Sequence, residues 1–296
     1  MRLLSKQNMI IDMLIKVNVS TAAAALFCYI FCSYESGQVY YRNAIWIIVG
    51  IEGGYMRFLA IGLLLFALPA AASDYAREKK WADEVIPSIV VGEPLYLEAN
   101  RHRFLAIYAE AAKPGSAVIV VHGLGVHPDW NLIGVLRSGL AEQGYTTLSL
   151  QMPVLAADAV SEAYPATFDE AAARLKAAAA FLQGKGYGPV AIVSHSMGSR
   201  MSLHYLEQNP DAPVQAWVAI GMPGGGAYGK VNCPVLDLYG DSDLPAVLQN
   251  AGARAASFSV KGSEQTVVPQ ADHFFNNRDA ELVRIVKEYL DKVLRG

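Results

Sequence analysis

Apolar runs alternate with segments of helical periodicity over most of residues 93–294. A continuous apolar run of about four to eight residues is typical of a strand buried on both faces. Such a run occurs at 117–121, and further strands are predicted at 145–150, 189–194, 214–220 and 234–239. Helical patterns fill the intervals, at 132–143, 167–183, 197–208, 244–256 and 279–294. The alternation predicts a parallel sheet covered by helices on both faces.

The segments at the two ends complete the predicted sheet. Residues 94–98 and 102–109 alternate apolar and polar positions around Asn100, which predicts an antiparallel hairpin. Residues 258–261 are interpreted as the last strand. The whole pattern predicts an α/β fold with a mostly parallel, doubly wound sheet of about eight strands, an antiparallel N-terminal hairpin, and a single domain over residues 73–296.

Two helical segments carry additional signals. Residues 73–91 are polar and then mixed, which predicts a surface helix or coil that leads into the domain. The sequence TFDE at 167–170 matches the capping box, in which Thr167 would accept a hydrogen bond from the helix and Glu170 would return one.

The first 72 residues are the most apolar part of a chain with 53% hydrophobic residues and a mean hydropathy of +0.25. From Met56, an arginine, an apolar run and the small residues 70–72 follow in the order of a secretory signal peptide. We therefore interpret 56–72 as a signal peptide and 1–55 as an over-extended N-terminus, which predicts a periplasmic or secreted protein without a stable membrane anchor. The alternative, with Met1 as the true start, makes 17–32 and 44–72 membrane segments of a membrane-anchored protein.

Charge and cysteine content exclude some classes of function. The net charge is −3 with an isoelectric point near 6.1, and the sequence has no basic run, so a nucleic-acid partner is not expected. Cys28 and Cys32 precede the predicted cleavage site, which leaves Cys233 alone in the domain. A single cysteine cannot form an internal disulfide, and its place at the start of an apolar run predicts a small core residue.

The most informative motif is SHSMG at 194–198, which differs from the nucleophilic pattern G-x-S-x-G only at Ser194. Ser196 falls between a predicted buried strand and a predicted helix, where a sharp turn would hold its hydroxyl above the strand end. The alternative is a serine that caps the helix beginning near Met197. His195 is adjacent to Ser196, but its side chain should point away from the nucleophile, so it is not assigned as the base.

A nucleophilic serine needs an acid and a histidine later in the chain. The strand at 234–239 ends in the turn GDSD, which offers Asp243 as the acid and Asp241 as second choice, whereas Asp237 lies inside the strand and suits a structural role. His273 follows the last predicted strand on a loop and is the candidate general base. Both turn aspartates could instead make only local hydrogen bonds.

An oxyanion hole needs two backbone N–H groups aimed at one point. Met197, directly after the nucleophile, and Leu124, in the loop HGLG at 122–125, are the candidate donors. His122, His127 and Asp129 could suggest a metal site, but no second ligand pair with suitable spacing accompanies them, so no metal or cofactor is expected. The glycine-rich sequence at 221–226 is interpreted as a connection between strands.

The succession HGLG, SHSMG, GDSD and DHFF after the third, fifth, seventh and eighth predicted strands resembles the α/β-hydrolase superfamily. The sequences VVHGLGVHPDW and TLSLQMPV are similar to those of an uncharacterised bacterial family of α/β-hydrolase-like proteins. The resemblance implies Ser196 as nucleophile, Asp243 as acid, His273 as base, and Leu124 and Met197 as oxyanion donors.

The expected function is that of a serine hydrolase that cleaves a carboxylic ester or thioester through an acyl-enzyme. Its partner would be a small-molecule or acyl-bearing substrate. The short connection between about residue 222 and residue 234 predicts a minimal cap and an open, shallow site. The alternative function is a non-catalytic binding or scaffold protein of the cell envelope with the same fold. The sequence gives no indication of the oligomeric state.

Overall fold

The computed structural model describes residues 73–112, 115–188 and 190–294, together with the backbone of four strands nearer the N-terminus. The chain divides into two compact units, Met1–Ala70 and Ala71–Gly296. The second unit carries every residue that the sequence analysis assigns to a site.

Eight strands form the sheet of the second unit. They are β1 (Glu93–Ala99), β2 (His102–Ala109), β3 (Ala117–Val121), β4 (Thr146–Leu150), β5 (Val190–His195), β6 (Ala216–Ile220), β7 (Val235–Gly240) and β8 (Glu264–Val268). Their spatial order is β8-β7-β6-β5-β3-β4-β2-β1. In this spatial order, every neighbouring pair from β8 to β4, including the pairs of β3, is parallel. Strand β2 is antiparallel to both β1 and β4. The predicted eight-stranded, mostly parallel sheet with an N-terminal hairpin is confirmed.

Seven α-helices accompany this sheet. They are α1 (Tyr75–Val85), α2 (Leu132–Glu142), α3 (Phe168–Gly184), α4 (Met197–Gln208), α5 (Pro245–Leu248), α6 (Ala251–Ala256) and α7 (Asp279–Leu294), with short 3-10 helices at Ile86–Ser88 and Ser161–Thr167. Helices α3 and α4 pack against each other, as do α2 and α7.

The strand β3 illustrates why a central strand is apolar throughout. Ile119 and Val121 belong to one hydrophobic core, whereas Val118 and Val120 belong to a second core that includes residues of α2 and α7. All four side chains are fully buried. Successive side chains of a strand point to opposite faces, so a strand between two layers of helices must be apolar at every position.

Three local predictions are wrong. The last strand is Glu264–Val268 and not 258–261, because residues 260–263 form a turn in which Gly262 has φ of +91°. The helix expected over 244–256 is divided into α5 and α6, and the side chain of Asn250 at the break donates a hydrogen bond to the carbonyl of Ala246 (3.1 Å). Thr167 precedes α3 as expected, but its hydroxyl donates to the carbonyl of Tyr164 (2.8 Å) instead of capping the helix.

The connection between β6 and β7 was predicted to be too short for a helical cap. Residues 221–234 are all described, and they contain turns and bends but no helix. The predicted minimal cap is therefore present in the structure.

The described residues of the first unit form four strands in an antiparallel sheet, paired in chain order: Met9–Val19, Ala22–Glu35, Gln38–Val49 and Ile61–Leu65. The predicted over-extended N-terminus coincides with the first three. The predicted signal peptide at 56–72 and its cleavage site after Ala72 lie outside the described residues, apart from the last strand. Within the described parts of the chain, no helix is both long and apolar enough to span a bilayer.

Candidate active site

Ser196 occupies the turn between β5 and α4, as the sequence analysis predicted. Its backbone has φ of 56° and ψ of −122°, a conformation that is strained for any residue with a side chain. A Cβ atom at Gly198 would lie 2.3 Å from the carbonyl oxygen of His122, so only glycine fits there. The first turn of α4 is thereby pressed against the end of β3, and the side chain of Ser196 stays partly exposed.

Ser194 replaces the first glycine of the usual motif, and the structure gives it a specific place. Its side chain is fully buried, and its hydroxyl oxygen accepts a hydrogen bond from the indole N–H of Trp217 (2.8 Å). The hydroxyl of Ser199 donates to the backbone carbonyl of Ser194 (2.9 Å). Ser194 is therefore part of the hydrogen-bonded support beneath the turn.

Ser196, His273 and Asp243 form one hydrogen-bonded chain. The Oγ atom of Ser196 lies 2.9 Å from Nε2 of His273, and Nδ1 of His273 lies 2.6 Å from Oδ1 of Asp243. His273 and Asp243 are both buried. A carboxylate can only accept, so Nδ1 of His273 carries the hydrogen, and Nε2 is left to accept the hydrogen of the Ser196 hydroxyl.

Of the two aspartates in the turn GDSD, the second, Asp243, belongs to the hydrogen-bonded chain with His273 and Ser196. Oδ1 of Asp243 also accepts the backbone N–H of Leu244 (2.6 Å). Asp241 is exposed, and its Oδ1 accepts the backbone N–H of Gln270 (2.7 Å) and the hydroxyl of Ser242 (3.0 Å). Asp237 is buried within β7 and pairs with the guanidinium of Arg254 (3.0 Å). The geometry thus separates the two candidates that the sequence left open.

Two glycines that sequence reasoning did not assign to the site bring the acid and the histidine together. A Cβ at Gly221, where φ is +54°, would lie 3.0 Å from Nδ1 of His273 and 3.3 Å from Oδ2 of Asp243. A Cβ at Gly240 would lie 2.0 Å from the carbonyl oxygen of Ala271. A glycine directly after a buried strand was the available signal, and the sequence analysis interpreted Gly221 only as part of a connection.

The loop HGLG lies against the nucleophile. A Cβ at Gly123 would be 3.2 Å from Cβ of Ser196. Leu124 follows with a side chain that is 39% exposed, and Met197 is the first residue of α4, where backbone N–H groups have no partner within the helix. The loop and the helix terminus thus meet at Ser196, and the role of their N–H groups remains a prediction.

His122 controls the peptide that carries the Leu124 N–H group. Its ring is fully buried, Nδ1 donates to the carbonyl of Gly123 (2.8 Å), and Nε2 accepts the backbone N–H of Met152 (2.9 Å). A trans peptide directs its C=O and N–H in opposite directions, so the bond to the Gly123 carbonyl also orients the N–H of Leu124. Burial lowers the pKa of His122 to about 3, which keeps the ring neutral.

His195 supports the loop that carries His273. Its Nε2 donates to the backbone carbonyl of His273 (2.9 Å), and the centroids of the two rings lie 4.7 Å apart. Burial, and then the neighbouring His273, lower the pKa of His195 to about 3. The histidine is therefore neutral, and it contacts the backbone of His273 rather than the nucleophile.

The spacing of His122, His127 and Asp129 suggested a metal site, which the sequence analysis did not favour. Both ring nitrogens of His122 are engaged by backbone groups. His127 accepts the backbone N–H of Asp129 through Nδ1 (3.3 Å), and Asp129 pairs with Arg137 (2.5 Å). Within the described residues, no group of three potential ligands is arranged to hold a metal ion.

We expect the two buried histidines to make the domain unstable in acid. Above about pH 6.5 neither the folded nor the unfolded chain protonates these rings, whereas between about pH 6.5 and pH 3 only the unfolded chain binds the protons. As the pH is lowered through this window, the free energy of unfolding should therefore fall by ~1.4 kcal/mol per pH unit for each ring. Urea unfolding of wild type and His195→Gln at pH 7, 6 and 5 measures this slope. A variant with the wild-type slope would contradict the assignment.

The strand order, the strained turn after β5 and the loops that meet at Ser196 define the α/β-hydrolase fold. A family model described as "Protein of unknown function (DUF3530)" matches residues 92–173, from the start of β1 into α3. No match was found among curated protein sequences.

Solved structures with this fold resemble the chain at low sequence identity. A dienelactone hydrolase from Anabaena variabilis has a TM-score of 0.57 at 18% identity, covering 68% of this chain and 97% of its own. Est1E from Butyrivibrio proteoclasticus with bound ferulic acid has a TM-score of 0.58 at 14% identity, covering 68% and 100%. A serine hydrolase without a lid from Xanthomonas campestris has a TM-score of 0.54 at 17% identity, covering 70% and 97%.

Proposed function

We propose that this protein is a serine hydrolase that cleaves a carboxylic ester or thioester through an acyl-enzyme. The observation that carries the proposal is the hydrogen-bonded chain from Ser196 through His273 to Asp243, held on a strained turn that keeps the Ser196 hydroxyl accessible. Strain of this kind is maintained only where the surrounding structure enforces it, and it concentrates at functional sites.

The reaction would begin with proton transfer from Ser196 to Nε2 of His273 as Oγ attacks the substrate carbonyl. Asp243 would hold Nδ1–H of His273 and stabilise the imidazolium that forms. The backbone N–H groups of Leu124 and Met197 would donate to the oxyanion. His273 would then return the proton to the leaving oxygen or sulfur. A water molecule would then attack the acyl carbonyl while His273 takes its proton, and the bond from the acyl carbon to Oγ would break as His273 returns that proton to Ser196.

The substrate would be a small molecule or an exposed acyl group with an apolar portion. Leu124 follows Gly123, which lies against Ser196, Phe274 follows His273, and each of these two residues is 39% exposed. The ring of Phe274 lies 5.1 Å from that of His273 and 5.5 Å from that of Trp130. With turns alone in residues 221–234, access to Ser196 would not require a helical lid to move.

A fluorophosphonate probe tests the proposal. Oγ of an activated serine bonds to phosphorus, fluoride leaves, and the proton passes to the histidine. We expect fragment spectra of the peptide with residues 186–200 to place the adduct on Ser196, with Ser194 and Ser199 in the same peptide as internal controls. Heat-denatured protein should give no adduct. No adduct on the native protein, or one on another serine, would favour the non-catalytic binding protein.

We propose further that the protein begins at Met56 and acts in the periplasm or outside the cell, after removal of a signal peptide at residues 56–72. The support is the sequence of residues 56–72. Mass spectra of the same labelled protein, purified from its native source, should contain an N-terminal peptide that begins at Ser73. A longer N-terminus would instead support the membrane-anchored alternative.

A further inference from the structure

Helix α1 contacts the loop that carries the candidate oxyanion donor. Nη2 of Arg77 donates to the carbonyl of Gly125 (3.0 Å), and Nη1 donates to the carbonyl of Leu155 (2.8 Å). The guanidinium therefore joins the HGLG loop to the segment that follows β4. Both acceptors are backbone atoms, so the contact acts on the course of the chain itself.

A second contact extends this support along the loop. The ring of Trp81, one turn further along α1, lies 5.8 Å from the ring of His127 in an edge-on arrangement. The guanidinium carbon of Arg77 lies 4.4 Å from the centroid of the Trp81 ring, where cation–π attraction holds the fork in place. Arg77 and Trp81 thus touch the loop on both sides of Val126.

The helix that presents these side chains is itself firmly attached. Both carboxylate oxygens of Glu78 accept hydrogen bonds from the guanidinium of Arg174 at 3.0 Å, and Arg174 is fully buried. The side chain of Asp74 caps α1 by accepting the N–H of Arg77 (2.9 Å), and its backbone N–H donates to the carbonyl of Val154 (2.7 Å). Such a helix is a fixed support rather than a loose lead-in.

We propose that Arg77 is a positioning residue for the oxyanion hole. The peptide before Leu124 is oriented by His122 through the Gly123 carbonyl, and the residue after Leu124 is held by Arg77 through the Gly125 carbonyl. Leu124 is therefore anchored on both sides, although its own side chain is exposed. The inference rests on the proposed hydrolase function, because it assigns a purpose to an N–H group that would matter only for a developing oxyanion.

The variants Arg77→Met and Arg77→Lys test this role against Lys79→Met as the matched control. Lys79 lies on the same helix, but its ammonium group pairs with Asp83 (2.7 Å) at the surface. Methionine keeps the packing of the arginine stem on Trp81 without donating a hydrogen bond. Lysine keeps the charge but donates from a single nitrogen, so it cannot reproduce the fork.

We expect Arg77→Met to lower kcat for p-nitrophenyl butyrate by about tenfold to a hundredfold, with KM within about twofold. Inhibition by a trifluoromethyl ketone, whose adduct with serine carries an oxyanion, should weaken by a similar factor. Arg77→Lys should fall between Arg77→Met and wild type, and Lys79→Met should match wild type. If Arg77 served only to stabilise the fold, Arg77→Met would have a lower Tm than wild type and an unchanged kcat per labelled site.

Two outcomes separate this inference from the function beneath it. In the first, the wild type is labelled and active, and Arg77→Met has the same kcat per labelled site and the same ketone affinity. That result would overturn the role of Arg77 but leave the proposed function standing. If the fluorophosphonate labels no serine of the wild type, the proposed function fails and the inference fails with it. Counting only labelled sites keeps the comparison valid where a variant folds in part.

Discussion

Replacing Ser196 with alanine is expected to lower kcat for ester hydrolysis by about a millionfold, leaving only the acceleration that substrate binding and an oxyanion hole supply. Alanine retains Cβ and therefore the steric demands at φ of 56°, so the change removes only the Oγ atom that lies 2.9 Å from His273. The measurement is hydrolysis of p-nitrophenyl esters under single-turnover and steady-state conditions, with the absence of an acyl-enzyme burst as a second readout.

Ser202→Ala provides the matched control for this result. Ser202 is buried on the same helix, and within the described residues its hydroxyl has no hydrogen-bond partner. Removal of an unpaired buried hydroxyl should leave both activity and stability near those of wild type or slightly raise the stability. Substantial turnover by Ser196→Ala, at more than about one hundredth of the wild-type rate, would show that another group attacks the substrate.

Replacing Asp243 with asparagine is expected to lower kcat about ten-thousandfold. Asparagine can keep its oxygen at the Oδ1 position, which receives both the N–H of Leu244 and Nδ1–H of His273, so the change removes the negative charge. A neutral amide would not stabilise the imidazolium that forms when His273 takes the proton of Ser196, and its N–H₂ group would lie at the buried Oδ2 position, where the described residues offer no hydrogen-bond partner. The loss should appear in kcat. It should become smaller at high pH, where hydroxide from the solvent can act as the base in place of His273.

Asp241→Asn is the control for Asp243→Asn, and it separates the two carboxylates that follow β7. Asp241 accepts hydrogen bonds from Gln270 and Ser242, and an asparagine oxygen can accept both. We expect this variant to retain wild-type kcat within about twofold, since exposed changes of this type are nearly neutral. Equal losses in the two variants would mean that the turn as a whole, rather than one carboxylate, supports His273.

The succession of strands and helices, and the placement of the three candidate catalytic residues after strands of the sheet, could be predicted from sequence, because both depend on local pattern. Largely apolar segments identify β3, β5, β6 and β7, and the loops that follow strands of a parallel sheet meet along one edge. The choice between Asp241 and Asp243 could not be made in this way. Both follow the same strand, and only burial and the approach of His273 distinguish them.

The features that sequence reasoning missed depend on contacts between distant positions. Gly221 is required by the proximity of His273, 52 residues later in the numbering of the chain, and nothing in its own neighbourhood shows this. The segment 73–91 looked like a polar lead-in because four of its charged residues are exposed, whereas Arg77 and Glu78 turn toward the domain. Ser194 looked like a mere substitute for glycine until Trp217 was seen to donate to it.

The attachment of α1 has a consequence for the order in which the protein folds. Glu78 and Arg174 are 96 positions apart, and the HGLG loop lies between them in the sequence. Contacts across such a long stretch close late, because the entropy of the intervening chain must be lost first. In a refolding experiment, helical signal should therefore return before esterase activity does. During this interval most of the fold would be formed, but the HGLG loop would not yet be held in place by α1.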